Sequence, residues 1–89
     1  MEISISRAEL LARLPAAVAG DDYVEEGSTL VHREDGRRWT IVLEPLPALR
    51  IAMLSLERLR VTLRFENYAA AEVQRFLQRF RLYFQRGGG

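Results

Sequence analysis

The feature of this 89-residue chain that most constrains its fold is an Asp35-Gly36 dipeptide between two apolar runs. Asp-Gly in a two-residue loop is a strong signal for a β-hairpin, because both turn positions need a positive φ. The runs cover residues 30–33 and 39–43. The dipeptide therefore predicts a hairpin and sets which residues of its strands lie opposite each other.

Counting outward from this turn assigns side chains to the two faces of the hairpin, because successive residues of a strand alternate between faces. One face collects apolar side chains and the other collects guanidinium groups. The predicted opposed pairs are His32 with Trp39 and Leu30 with Ile41 on the apolar face, and Arg33 with Arg38 on the polar face.

A first helix is predicted to begin just after Ser6. Ser6 and Glu9 have the spacing of a capping box, in which the serine hydroxyl accepts a hydrogen bond from the Glu9 N–H. Leucines follow with helical spacing over residues 10–14, and Pro15 is expected to end or kink the helix. Residues 3–6, which alternate isoleucine with serine, could add a short edge strand before it.

Two further strand-like segments follow in the second half of the chain. Pro45 and Pro47 cannot donate to a ladder, so the sheet is expected to break there. Residues 49–54 are predicted to resume as a strand that turns at residues 55–57. Residues 58–65 alternate polar and apolar side chains, which indicates a strand with one buried face.

A final helix is predicted from its cap at Asn67 to about Gln85, and Gly87–Gly89 is expected to form a flexible tail. Its apolar side chains fall on one arc at about 100° per residue, a pattern typical of a helix packed against a core. The arc consists of Val73, Phe76, Leu77, Phe80, Tyr83 and Phe84.

Together these segments predict an α+β fold: a helix, a three- to four-stranded antiparallel sheet and a second helix, with both helices packed on one face of the sheet. Residues 1–86 are expected to form a single domain, since domains rarely fall below about 50 residues. The hydrophobic content of 48% is sufficient for one core. No apolar run has the length of a membrane span, so a soluble domain without membrane contact is expected.

Composition also bears on where the chain works and on what chemistry it can perform. The absence of cysteine excludes disulfides and thiolate chemistry, and the N-terminal residues lack a signal-peptide pattern, so a cytoplasmic location is expected. His32 is the only imidazole, no Ser–His–acid spacing occurs, and no phosphate-binding glycine loop is present. We therefore expect no enzyme and no cofactor, although catalysis by carboxylates alone stays formally open.

The acidic residues between positions 21 and 26 are a possible cation site, because hard divalent ions prefer several oxygen ligands. The carboxylates here do not alternate around a turn-forming glycine, as they do in calcium loops. We expect a solvated or partner-facing acidic loop and no metal.

Arginines dominate the predicted face of the sheet opposite the core. The predicted register places six of them there, where they are either solvated or available to an acidic partner. Nucleic acid is a less favoured partner, because the face has no aromatic rings for stacking and the net charge is only +1. The six are Arg33, Arg38, Arg50, Arg58, Arg60 and Arg64.

The outer side of the final helix is a second candidate surface. Tyr68 and Leu82 do not fit the apolar arc and are expected to project near Arg75 and Arg79. Arginine and aromatic side chains are enriched at protein interfaces.

From these observations we predict a non-catalytic protein-interaction or accessory module that binds another protein or its own copy, with weak nucleic-acid binding as the alternative. The predicted partner-binding residues are Arg38, Arg58, Arg60, Arg64, Tyr68, Arg75, Arg79 and Leu82.

Overall fold

A computed structural model describes residues 1–84 and shows five strands and two helices. The strands form one antiparallel sheet in the order β1-β5-β4-β3-β2. The expected glycine tail at Gly87–Gly89 lies outside the described residues. In chain order the elements are β1 (Glu2–Ile3), α1 (Arg7–Ala17), β2 (Val24–Glu26), β3 (Thr29–Glu34), β4 (Arg37–Ile51), β5 (Leu54–Glu66) and α2 (Ala70–Phe84).

The predicted α+β class is confirmed, with both helices on one face of the sheet. Leu10 and Leu14 of α1 and Phe80 of α2 belong to one buried cluster with the side chains of that face. The sheet has five strands rather than three to four, because a short strand extends it at each edge. β1 pairs with β5, and β2, which was expected to be part of an acidic loop, pairs with β3.

The hairpin at Asp35-Gly36 forms as predicted. Both turn residues have positive φ, 48° for Asp35 and 76° for Gly36. All three predicted pairs of opposed residues occur, including His32 opposite Trp39. The turn chemistry therefore sets the register of the two central strands.

Pro15 does not end α1, which was one of the two effects predicted for it. The helix continues to Ala17. Leu14 and Ala17 on either side of Pro15 are fully buried, so tertiary packing holds the last turn in spite of the missing donor. The Val18 N–H donates to the Leu14 carbonyl at 2.9 Å and closes the end. The predicted N-cap is confirmed, since the Glu9 N–H donates to Ser6 Oγ at 3.1 Å.

Pro45 and Pro47 do not break the sheet either, because they lie where β4 has lost its neighbour β3. The Leu43 N–H points toward β3 and donates to the Ser28 carbonyl at 2.9 Å. Pro45 has the same parity as Leu43, so its missing N–H would point to the same side, where no strand follows. β4 therefore keeps its ladder with β5 through the proline segment and continues to Ile51.

The turn predicted at residues 55–57 is also displaced. The chain reverses at Ala52 and Met53, where Ala52 adopts a positive φ of 54°. Residues 55–57 instead belong to β5, which runs without a break from Leu54 to Glu66. The segments predicted as separate strands are thus the two sides of one long hairpin.

Trp39 lies at the centre of the core and is only 1% exposed. Its Nε1–H donates to Asp21 Oδ2 at 3.0 Å. The rings of His32 and Phe76 pack against it, with centroids at 5.3 and 5.7 Å. The predicted apolar arc of α2 also faces this core, with Phe80 and Phe84 buried. Trp39 therefore joins the sheet to the helix that covers it.

Replacing Trp39 by alanine should lower the free energy of unfolding by about 3–5 kcal/mol, because apolar contact is lost and a cavity remains. Equilibrium denaturation followed by circular dichroism measures the change. Trp39→Phe is the matched control, since it keeps a ring in the site and should cost less. A native tryptophan emission spectrum like that of the free amino acid in water would contradict this placement.

Candidate interaction surface

The sheet has a second face that no helix of residues 1–84 covers; we call it the open face. Side chains alternate strictly along β5, so its even-numbered residues from 54 to 66 belong to this face. The register adds Arg33 of β3 and Arg38 of β4 to it. Five of the six arginines predicted for this face therefore share it: Arg33, Arg38, Arg58, Arg60 and Arg64.

Arg50 is the exception, and a β-bulge explains why. Between Leu46 and Leu49, β4 advances by three residues while β5 advances by two, from Arg58 to Leu56. This extra residue inverts the alternation of β4. Arg50 consequently pairs with Ser55, on the side opposite the open face.

Acidic neighbours pair with most of the open-face arginines. Arg58 and Arg60 both donate to the Glu2 carboxylate, at 2.8 and 3.4 Å. The other two pairs are Arg33 with Glu26 and Arg38 with Glu66. The hydrogen bond from Arg38 lowers the pKa of Glu66 below its ordinary value. Of the open-face arginines, Arg64 alone has no ion pair within residues 1–84.

Charge reversal of Arg58 and Arg60 together should leave the domain folded and lower the free energy of unfolding by no more than about 2 kcal/mol. Both ion pairs with Glu2 are partly exposed, and such pairs contribute about 0–1 kcal/mol each. Urea denaturation measures the effect. The control is double reversal of Arg75 and Arg81 on α2, which changes the net charge equally. Loss of the cooperative transition would show that the Glu2 pairs are essential to the fold.

Beyond the edge strands, β4 and β5 continue as a two-stranded ribbon; we call residues 46–57 the hairpin arm. Its pairs Leu49–Leu56 and Ile51–Leu54 lie on the same side as the open face. With Met53 at the turn, these side chains are between 40 and 100% exposed. The arm was not predicted from the sequence, which indicated a strand over residues 49–54 that turns at residues 55–57. Arg50 is the only charged residue between positions 45 and 56.

A shallow depression of about 640 Å³ lies on the open face at the end away from the hairpin arm. Val31 at its floor is only 6% exposed even though no helix of residues 1–84 covers it. We call it the Thr/Val depression after the residues of its floor. The floor consists of Thr29, Val31, Thr40 and Val42, and the rim contains Glu26, Arg33, Arg38, Arg64 and Glu66.

Three of the four residues predicted on the outer side of α2 are exposed at helical spacing, namely Arg75, Arg79 and Leu82, whereas Tyr68 lies elsewhere. Leu82 is 81% exposed, and Arg75 is also exposed. The Arg79 Nε–H donates to the Ala16 carbonyl at 2.7 Å, which engages it with α1. Tyr68 precedes the helix and packs edge-on against Phe65, with ring centroids at 5.8 Å. Its expected projection from the polar side of the helix is therefore wrong.

A cation–π contact with Arg37 also holds Tyr68 in place. The Arg37 guanidinium carbon lies 5.0 Å from the centroid of its ring. Burial raises the pKa of the Tyr68 hydroxyl above its ordinary value, although the charge of Arg37 acts in the opposite direction. Tyr68 is therefore partly buried against the core.

His32 is buried at 4% exposure among carboxylates. Its Nδ1 lies 2.6 Å from the Asp22 carbonyl oxygen, an acceptor, so Nδ1 carries the hydrogen. Its Nε2 has no hydrogen-bond partner within residues 1–84 but lies 3.8 Å from Asp21 Oδ2 and 3.7 Å from Glu34 Oε2. Burial lowers the pKa of His32, but the Asp22 hydrogen bonds and the charges of Asp21 and Glu34 outweigh it, so the pKa is raised.

Stability should therefore fall as the pH rises through the raised native pKa of His32. Protonated His32 stabilises the folded state fully below its unfolded pKa of about 6.5, and this contribution is lost at higher pH. Thermal melts between about pH 5.5 and 8.5 measure it, with His32→Gln as the control that should flatten the trend. Because the chain has one histidine, its imidazole resonance can be titrated directly. A native pKa below 6.5 would contradict the prediction.

Comparison with known proteins gives no assignment: the chain matches no family model, no curated protein and no solved structure. No helix within residues 1–84 has the length and apolar character to cross a membrane. Within the same residues, no group of three or more His, Asp or Glu side chains is arranged to hold a metal ion. The function is therefore inferred from the geometry of the surface.

Proposed function

We propose that this chain is a non-catalytic protein-interaction module of the cytoplasm that binds its partner through the hairpin arm and the adjoining open face. The observation that carries the proposal is the exposure of large aliphatic side chains along the arm. Scattered apolar residues are ordinary on a protein surface, but a contiguous apolar patch marks an interaction site. The patch consists of Leu49, Ile51, Met53, Leu54 and Leu56.

The exposed fractions of these five side chains add up to three complete side chains. Burying them in a partner would contribute about 5–9 kcal/mol, at about 1.5–3 kcal/mol for each full side chain. Association costs about 4–15 kcal/mol in lost freedom of motion. The arm therefore supplies a large part of the binding free energy, and neighbouring parts of the open face must supply the remainder.

The ribbon geometry of the arm supports the same proposal. An isolated two-stranded hairpin is only marginally stable in water, and three or more strands or a covering layer are needed for stability. β3 ends opposite Val42 and β1 ends opposite Leu59, so both neighbours of the ribbon stop short of the arm. A partner that covers the aliphatic side would supply the missing layer.

A protein partner is favoured over a nucleic acid by the pairing of the open-face arginines. The guanidinium groups already form ion pairs with Glu2, Glu26 and Glu66, so contacts with phosphate would contribute less binding free energy. Trp39 and Phe65 lie on the helix side, so the open face presents no ring from these strands for base stacking. An enzymatic role is disfavoured because His32 is buried, with Nδ1 engaged by Asp22.

Site-specific photo-crosslinking in the cells that make the protein tests this proposal. A photoactivatable amino acid replaces Met53 at the tip of the arm, or Gln78 on the exposed side of α2 as the matched control. We expect a discrete protein adduct from position 53 that survives nuclease treatment and is absent from position 78. Equal labelling from both positions, no adduct, or an adduct removed by nuclease would contradict an arm-mediated protein interaction.

A further inference from the structure

We propose that the hairpin arm binds the Thr/Val depression of a second copy of this chain, so that two copies form a reciprocal two-fold dimer. The inference rests on the proposed function and identifies its partner. Each copy carries both halves of the contact on the same face of one sheet. The dimer therefore contains the arm–depression contact twice.

The spacing of the two halves along β5 permits this arrangement. The arm pairs are centred near Ser55, and the floor of the depression is centred near Leu63. Eight residues at about 3.4 Å each separate the two centres by about 27 Å. A two-fold axis in the plane of the interface, perpendicular to the strands and near Leu59, places each arm on the other copy's depression.

The side chains of the arm and of the depression that it would contact are both apolar in character. The arm presents only aliphatic side chains on this side, and the depression has a floor of valine and threonine, whose methyl groups can accept apolar contact. Two sheets packed face to face in this way resemble the layers of a β-sandwich. The concave shape of the depression suits the projecting Ile51–Leu54 pair.

The charge of the contact region is also compatible with a second copy. The belt between arm and depression crosses the proposed axis and contains Glu2, Glu44, Arg58 and Arg60, two acidic and two basic residues. The axis brings Arg58 of one copy close to Arg60 of the other, but both guanidinium groups already pair with Glu2 of their own copy, and the belt carries no net charge. In contrast, the outer side of α2 carries Arg75, Arg79 and Arg81 and would repel itself.

The available area is sufficient for a specific contact of modest affinity. β5 has 13 residues and is therefore about 44 Å long, and two to three strands are about 10–14 Å wide. Each copy would bury on the order of 500 Å², or about 1,000 Å² in total, the lower bound for a specific interface. A concentration-dependent dimer is therefore expected.

Analytical ultracentrifugation of the purified chain tests the inference from about 1 µM to about 1 mM, the range that suits a small interface. The wild-type chain should approach twice its monomer mass as concentration rises. Replacing the opposed arm pair by Ile51→Lys with Leu54→Glu keeps a cross-strand attraction but removes the aliphatic contact. Val42→Arg fills the depression. Each variant should weaken the dimer at least about a hundredfold, whereas Leu82→Lys on α2 should leave it unchanged.

Mixing the two variants tests reciprocity. The arm variant keeps its depression and the depression variant keeps its arm, so the mixed pair has one intact contact and should dimerise more tightly than either variant alone. Circular dichroism verifies folding, and Thr40→Arg replaces Val42→Arg if that variant unfolds. A monomeric wild-type chain, a dimer that both variants leave intact, or a mixture without gain in affinity would overturn the inference. A crosslinked adduct to a different protein at position 53 would then leave the interaction function standing with another partner.

Discussion

The pairing of β4 with β5 is the constraint on which the rest of the structure depends. This ladder extends from Arg38–Glu66 to Ile51–Leu54 and is longer than any other in the sheet. At one end it carries Trp39 and Val61 into the core, and at the other it leaves the compact body as the hairpin arm. Because the same two strands form part of the core and the whole of the hairpin arm, the position of the arm depends directly on the packing of the core.

The bulge after Leu46 changes which face of the sheet the β4 side chains occupy on passing from the core to the arm. Without the extra residue, the arm part of β4 would present Arg50 on the open face in place of Leu49 and Ile51. One inserted residue thus makes an aliphatic surface out of a mixed one. On the helix side, hydrogen bonds hold two core rings in place. The Trp39 indole N–H donates to Asp21, and the His32 ring donates to the Asp22 carbonyl.

The parts of the fold that depend on a few adjacent residues were predicted correctly from the sequence. The Asp35-Gly36 turn, the Ser6 cap and the alternation of β5 each depend on a few adjacent residues, and each was predictable. The proline segments were not, because the effect of Pro15 depends on the burial of Leu14, and that of Pro45 on where β3 ends. Tertiary context overrides the intrinsic cost of proline in both cases.

The candidate surface was predicted only in part, for a similar reason. Strand alternation placed Arg58, Arg60 and Arg64 on one face, but Glu2 comes from the far end of the chain and its pairing with two of them has no local signal. The hairpin arm was missed because a run of aliphatic residues has the same sequence pattern in a core strand as in an exposed ribbon. Only the lengths of the neighbouring strands distinguish the two.

The prolines at the base of the arm have a consequence for aggregation. An apolar ribbon with an unpaired edge is a template onto which further strands can add, and repeated addition leads to fibrils. Pro45 has no N–H to offer along the free edge of β4, and Pro47 lies within the bulge, where the regular ladder is already interrupted. Strand addition along this edge is therefore obstructed close to the body of the domain. The arm can expose aliphatic side chains to a partner's surface while its β4 edge is protected from strand addition at the base.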